Sequence, residues 1–124
     1  MAHPRMYDDG DPLLAHVREL AARFPESAEV EAWGRPTFRA GTKIFAVYGS
    51  SGDDRPALIL KPDPDERAAL EHDERFFVPP YFGPAGWLAL RLDAAPVDWD
   101  EVRELLDASY RQVALVRMLR ALDA

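Results

Sequence analysis

The chain has no cysteine. Disulfides, cysteine nucleophiles and thiolate metal sites are therefore excluded. It has 3 histidines, and none is placed at ligand spacing from another. No apolar run approaches the roughly 18–20 residues that span a bilayer. The opening stretch, Met1 to Gly10, is polar and lacks the apolar centre of a signal peptide. These absences lead us to expect a cytoplasmic protein with no membrane partner. Positive charge is also scarce: 15 Lys and Arg stand against 22 Asp and Glu, for a net charge of −7. Domains that hold nucleic acid by bulk phosphate neutralisation are usually basic, so the net charge argues against the plainest binder of that kind. No internal repeat or low-complexity segment appears.

What is present is the material of one domain. The 124 residues suffice for a core without staples, and 48% are hydrophobic. We expect a flexible tail over 1–10 and a single domain over 11–124. Charge is unevenly placed. Much of the acid falls in Asp63–Glu74 and Asp93–Asp107, helical or helix-flanking, whereas Arg35, Arg39, Lys43, Lys61 and Arg91 fall in strand-like runs.

The centre of the chain is WGRPTFRAGTKIFAVY, Trp33 to Tyr48. Two strand-like runs flank a turn at Ala40–Gly41–Thr42. Arg35, Thr37 and Arg39 share one parity and Phe38 the other, so an inward Phe38 turns both arginines outward. The parity of Lys43–Tyr48 is ambiguous, since Phe45 and Val47 oppose Ile44, Ala46 and Tyr48. Gly34 and Pro36 predict a bend or an edge position next to a first strand near Val30–Trp33.

Helical signals bracket these strands. Asp11 as N-cap and Pro12 at the first position open a helix whose stripe is Leu13, Val17, Leu20 and Phe24; Pro25 ends it. Asp63, Pro64 and Glu66 predict a capped short helix reaching about His72. Asp98 and Glu101 form a capping-box pattern, with Val97 and Val102 as its hydrophobic staple. The long helix they open carries Val102, Leu105, Leu106, Ser109, Val113 and Val116 on one face. Between the helices, Ala57–Lys61 alternates, with Leu58 and Leu60 opposite Ile59 and Lys61. Phe76–Val78 is a short strand, and Trp87–Leu92 alternates with its leucines inward. Pro79 to Gly86 predicts a stiff aromatic loop.

The assembly is an α+β two-layer sandwich: an antiparallel sheet of about five or six strands with N- and C-terminal helices packed on one face. The other face would display Arg35, Thr37, Arg39, Lys43, Ile59, Lys61, Trp87 and Arg91. The loop Gly49–Asp54 lacks the ending of a P-loop and has no helix after it, so it does not read as a phosphate cradle. His72 among Glu71, Asp73 and Glu74 does not read as a metal site, because sequence neighbours do not share a helix face.

The blocks WGRPTFR, GTKIFAVYG, LKPDPDERAAL, PPYFGPAGWLALRLD and DWDEVRELLDASYRQVA occur in an order that resembles the MmcQ/YjbR family over about 24–114. The resemblance implies a CyaY/frataxin-like fold and a DNA-binding protein. The positions it carries over are Trp33, Gly34, Pro36, Thr37, Phe38, Arg39, Lys43, Lys61, Tyr81, Gly86, Trp87 and Arg91. Where many relatives place Pro-Lys, this chain has Leu115–Val116, from which we expect the last helix to run on.

Two functions follow as expectations. In the first, DNA binds the open sheet face through Arg35, Thr37, Arg39, Lys43, Lys61, Trp87 and Arg91. Four to five phosphate contacts would give a log–log salt slope near roughly −4 on duplex. In the second, a small ligand or protein segment occupies a pocket between the 79–86 loop and the sheet, lined by Trp33, Tyr81, Phe82 and Trp87. The acidic ridge of a frataxin is too sparse here, with Glu19 alone on the first helix, for a hard-cation site. We expect no cofactor and no metal. No serine stands beside a base, and the expectation is a binding protein rather than an enzyme, monomeric or weakly dimeric.

Overall fold

The computed structural model describes residues 4–50, 52–82 and 85–124. Residues 1–3 of the tail, Ser51 of the turn loop, and Gly83 and Pro84 of the aromatic loop lie outside them. The order is α1 (Pro12–Ala21), β1 (Ser27–Ala32), β2 (Arg35–Ala40), β3 (Lys43–Tyr48), β4 (Ala57–Leu60), α2 (Arg67–Glu71), β5 (Phe76–Phe77), β6 (Leu88–Arg91), α3 (Trp99–Val113) and α4 (Val116–Leu122). The strands form one six-stranded antiparallel sheet in the order β1-β2-β3-β4-β6-β5. The α+β sandwich is thus as the residue pattern predicts. Among the described residues no helix is long and apolar enough to cross a membrane.

Local chemistry accounts for the element ends. Asp11 caps α1 by accepting from the Leu13 N–H at 2.9 Å, and its second carboxylate oxygen takes the Tyr48 hydroxyl, tying α1 to β3. Burial, with that bond adding to it, pushes the Tyr48 phenol well above its ordinary pKa. Asp98 caps α3 by accepting from the N–H groups of Asp100 and Glu101. Glu101 does not close the box. Its carboxylate goes instead to Arg75, at 2.6 and 3.1 Å, because that guanidinium sits one layer away with Asp73 already bound. α2 likewise starts later than expected: Asp63 builds a turn, and Glu66 makes no side-chain cap.

One face of the sheet carries Phe38, Ala46, Tyr48, Leu58, Leu60, Leu88 and Leu90 against Leu14, Val17, Val102, Leu106 and Tyr110. Phe24, Phe45 and Tyr110 meet at its centre with ring centroids 4.8–5.5 Å apart. Both Phe45 and Ala46 belong to this core, which strict alternation forbids. The register explains it: Phe38 pairs with Ala46 but Arg39 pairs with Ile44, so Phe45 is the extra residue of a β-bulge. The bulge restores Ile44 and Val47 to the opposite face and resolves the ambiguous parity.

Two expectations give way here. Gly34 and Pro36 do not merely bend an edge. Trp33 and Gly34, at φ 55° and 75°, make the two-residue turn of a β1–β2 hairpin, with Ala32 paired to Arg35. A Cβ on Gly34 would lie 2.0 Å from the Pro4 carbonyl oxygen, so only glycine lets the N-terminal segment donate from Met6 N–H to Gly34 O at 2.8 Å. With Tyr7 bonded to Glu31 and Arg18 to Asp9, residues 4–10 lie along the hairpin.

The last helix also does not run on. Ala114 is extended (φ −69°, ψ 149°) and α4 starts afresh at Val116. Arg111 and Asp123, twelve positions apart, would be about 18 Å apart along one helix; they form an ion pair at 2.7 Å. The break buries Met118, whereas Val116 ends 64% exposed rather than in the stripe.

Candidate functional site

The second sheet face is where the sequence places its cations, and it is not bare. Val47, Ile59 and Ala89, on three neighbouring strands, are fully buried beneath Phe77, Phe82, Trp87 and Ile44. Phe82 comes from the 79–86 loop, which therefore folds back across the sheet. Its ring meets Trp33 at 6.0 Å and Trp87 at 6.2 Å, edge-on to both. These three rings run as a wall from the β1–β2 turn to the start of β6. Where the second expectation places a pocket, Phe82 occupies the space between Trp33 and Trp87. Tyr81 lines no such pocket: its ring is 92% exposed, on a left-handed backbone at φ 71°.

The register divides the cations between two ends of the face. On one side lie Arg35 and Arg91, the first beneath Gly49 and the second against Asp53 of the loop that follows β3. Arg91 stacks over Phe77 at 4.1 Å and pairs with Asp53 at 3.1 Å. The Asp53 carboxyl is held below its ordinary pKa, first by the Arg55 backbone N–H, with Arg91 adding to the effect. Arg35 packs under Gly49, where a Cβ would lie 2.2 Å from its Nη1. Burial lowers its pKa, against the pull of Asp54 and Asp53. This end of the face is neutralised and half-closed, so neither Arg35 nor Arg91 is available in the way the strand parity suggests.

On the other side lie Arg39 and Lys61. The register sets Arg39 beside Ile44, and Lys61 follows Leu60, whose partner Leu88 follows Trp87. Arg39, Ile44, Lys61 and Trp87 thus form one row across four strands; on β1, Val30, 42% exposed, stands opposite Thr37 in the next row. Among the described residues no carboxylate lies within 4.0 Å of Arg39 or Lys61. Arg39 Nε donates to Thr37 Oγ1 at 3.1 Å. Thr37 itself is fully buried and its hydroxyl donates to the Val30 carbonyl, so it orients Arg39 and offers nothing to a ligand. Lys43 does not join the row. It pairs with Ala40, whose side chain is in the helix-side core, and lines a groove with Val113, Leu115 and Met118.

Strand pattern alone missed the residues that fix Lys61. The bulge at Phe45 opens the ladder between β3 and β4, and Ser109 of α3 fills the gap. Its hydroxyl donates to Phe45 O at 2.6 Å and accepts from the Lys61 N–H at 2.9 Å. Gln112, one turn further, donates to the carbonyls of Lys61 and Pro62 at 2.9 and 2.8 Å. The available signal was a serine inside an otherwise apolar helix stripe. Phe82, expected as pocket lining, is the wall instead.

Among the described residues Arg39 and Lys61 share this freedom with Arg35, Lys43, Arg103 and Arg120, but of the six only they lie in the row of Trp87. Arg5, Arg18, Arg23, Arg55, Arg67, Arg75, Arg111 and Arg117 each hold a carboxylate at 3.1 Å or less. In a chain with excess acid, the exposed remainder of the sheet keeps two strand cations uncommitted beside exposed rings.

A six-stranded antiparallel sheet with terminal helices on one face and a basic, aromatic surface on the other defines the class. Within that class, a family model described as YjbR matches residues 22–112, and the chain belongs to the YjbR family. No curated protein matches it. Among solved structures, the crystal structure of a protein from Pseudomonas syringae is similar, with TM-score 0.65 and 15% identity over 83% of this chain and 98% of that one. At that identity the likeness is one of fold.

Proposed function

We propose that the protein binds DNA along the strip formed by Arg39, Lys61, Val30 and the Trp33–Phe82–Trp87 wall. The observation that carries this reading is the pair of uncommitted cations beside half-exposed aromatic rings, in a molecule that neutralises most of its other arginines. Guanidinium and ammonium groups would hold phosphates, and the rings would take bases or sugars. The reading is of a binding protein, with no chemical step assigned to it.

The interface is smaller than the strand parity suggests. Arg91 is committed to Asp53, Arg35 is half-buried, and Lys43 faces the other layer. Two contacts replace four or five, and the expected salt slope falls with them.

The test is binding of fluorescein-labelled DNA, followed by anisotropy in about 50 mM salt, where screening leaves surface contacts measurable. The double variant Arg39→Gln/Lys61→Gln is expected to lose most of the affinity. The control Arg103→Gln/Arg120→Gln removes two helix arginines that also lack a carboxylate partner among the described residues, and is expected to bind as wild type. Equal loss in both variants, or no binding by wild type, contradicts the reading.

A further inference from the structure

Resting on that reading, we infer that the strip selects an unpaired strand over a duplex. Trp33, Phe82 and Trp87 meet edge to face, with ring planes at 81° and 72°, and Trp87 belongs to the row that carries Arg39 and Lys61. A duplex is a stiff rod whose bases are already stacked, so it can use neither the rings nor a narrow strip bounded by them. An unpaired strand can do both: its backbone bends to follow the cations, and its bases have free faces.

Charge points the same way. Duplex DNA presents about one phosphate per 1.7 Å of axis, a density that needs many cations and tolerates few acids nearby. The strip offers two cations, set two strands apart, or roughly 10 Å. A rod lying on the strip would leave most of its phosphates without a partner. A flexible strand meets the two cations and turns away.

Tyr81 extends the surface. At 92% exposure and with a fixed left-handed backbone, it presents a ring next to Phe82 that no described residue covers. The Lys61 backbone is held from behind by Ser109 and Gln112, which fixes where its side chain leaves the sheet.

The experiment compares a labelled oligomer of twelve thymidines with a twelve-base-pair duplex, each titrated with the full chain at the same low salt. The single strand is expected to bind at least about tenfold more tightly, since stacking of one base is worth that much. Tyr81→Ala, a change at an exposed ring, should weaken the single strand several-fold and leave the duplex unchanged, while thermal unfolding stays as wild type. Equal affinity for the two, or tighter duplex binding, overturns the selectivity and leaves DNA binding standing. Binding of neither overturns both.

Discussion

Ser109 shows how much one side chain can hold in this protein. A hydroxyl with no exposed surface joins the bulged strand to the end of β4, taking the place of a missing ladder bond. Replacing it by alanine leaves a buried carbonyl and a buried N–H without partners, which costs about 1–3 kcal/mol for such groups. Ser109→Ala should therefore lower the urea midpoint by that equivalent without changing the m-value. It should also weaken DNA binding, because Lys61 loses its anchor; a midpoint equal to wild type would mean that the bridge is not structural. Gly34 is the second such residue. At φ 75°, with the Pro4 carbonyl where a Cβ would go, Gly34→Ala should destabilise by at least about 1 kcal/mol. Side-chain alternation was enough to place Arg39, Lys61, Ile59 and Trp87 on the open face. It could not show that Arg91 meets Asp53, because those partners lie 38 positions apart and only the β4–β6 register brings them together.

At the scale of elements, caps and periodicity were legible and their interruptions were not. Asp11 and Asp98 start helices where their side chains can take free N–H groups, and that chemistry is local. The end of α3 is different. Ala114 and Leu115 carry no stop signal; the chain breaks there because folding α4 back buries Met118 and brings Arg111 to Asp123 and Arg117 to Glu26. Long-range packing decides it, so pattern alone extends the helix. Met118→Ala should cost about 2–5 kcal/mol by thermal or urea unfolding. A loss of only a few tenths would show that α4 is an appendage. The bulge in β3 is equally invisible beforehand, since Lys43–Tyr48 is apolar at nearly every position and either parity would serve. That Phe82 lies over the sheet follows only from its packing on Val47, Ile59 and Ala89, which no local pattern shows.

At the scale of the whole molecule, excess acid is managed by pairing. Asp9, Glu26, Asp53, Asp73, Asp93 and Asp123 all have pKa values below their ordinary ones, chiefly through hydrogen bonds from arginines or, for Asp53, a backbone N–H. A carboxyl depressed in the folded state is more readily protonated when unfolded. Stability from these groups is thus complete above about pH 5 and lost as the pH falls through 4 and below. Thermal midpoints should be flat from pH 5 to 7 and drop at pH 3; an unchanged midpoint at pH 3 would show the pairs to be energetically idle. Arg39 and Lys61 stand outside that pairing, and salt tests them most directly. For an oligomer of twelve thymidines, two phosphate contacts predict a log–log slope of about −1.4, and Lys61→Gln should reduce it to about −0.7. A slope near zero, or one that the substitution leaves unchanged, would contradict the assignment of these two cations to DNA.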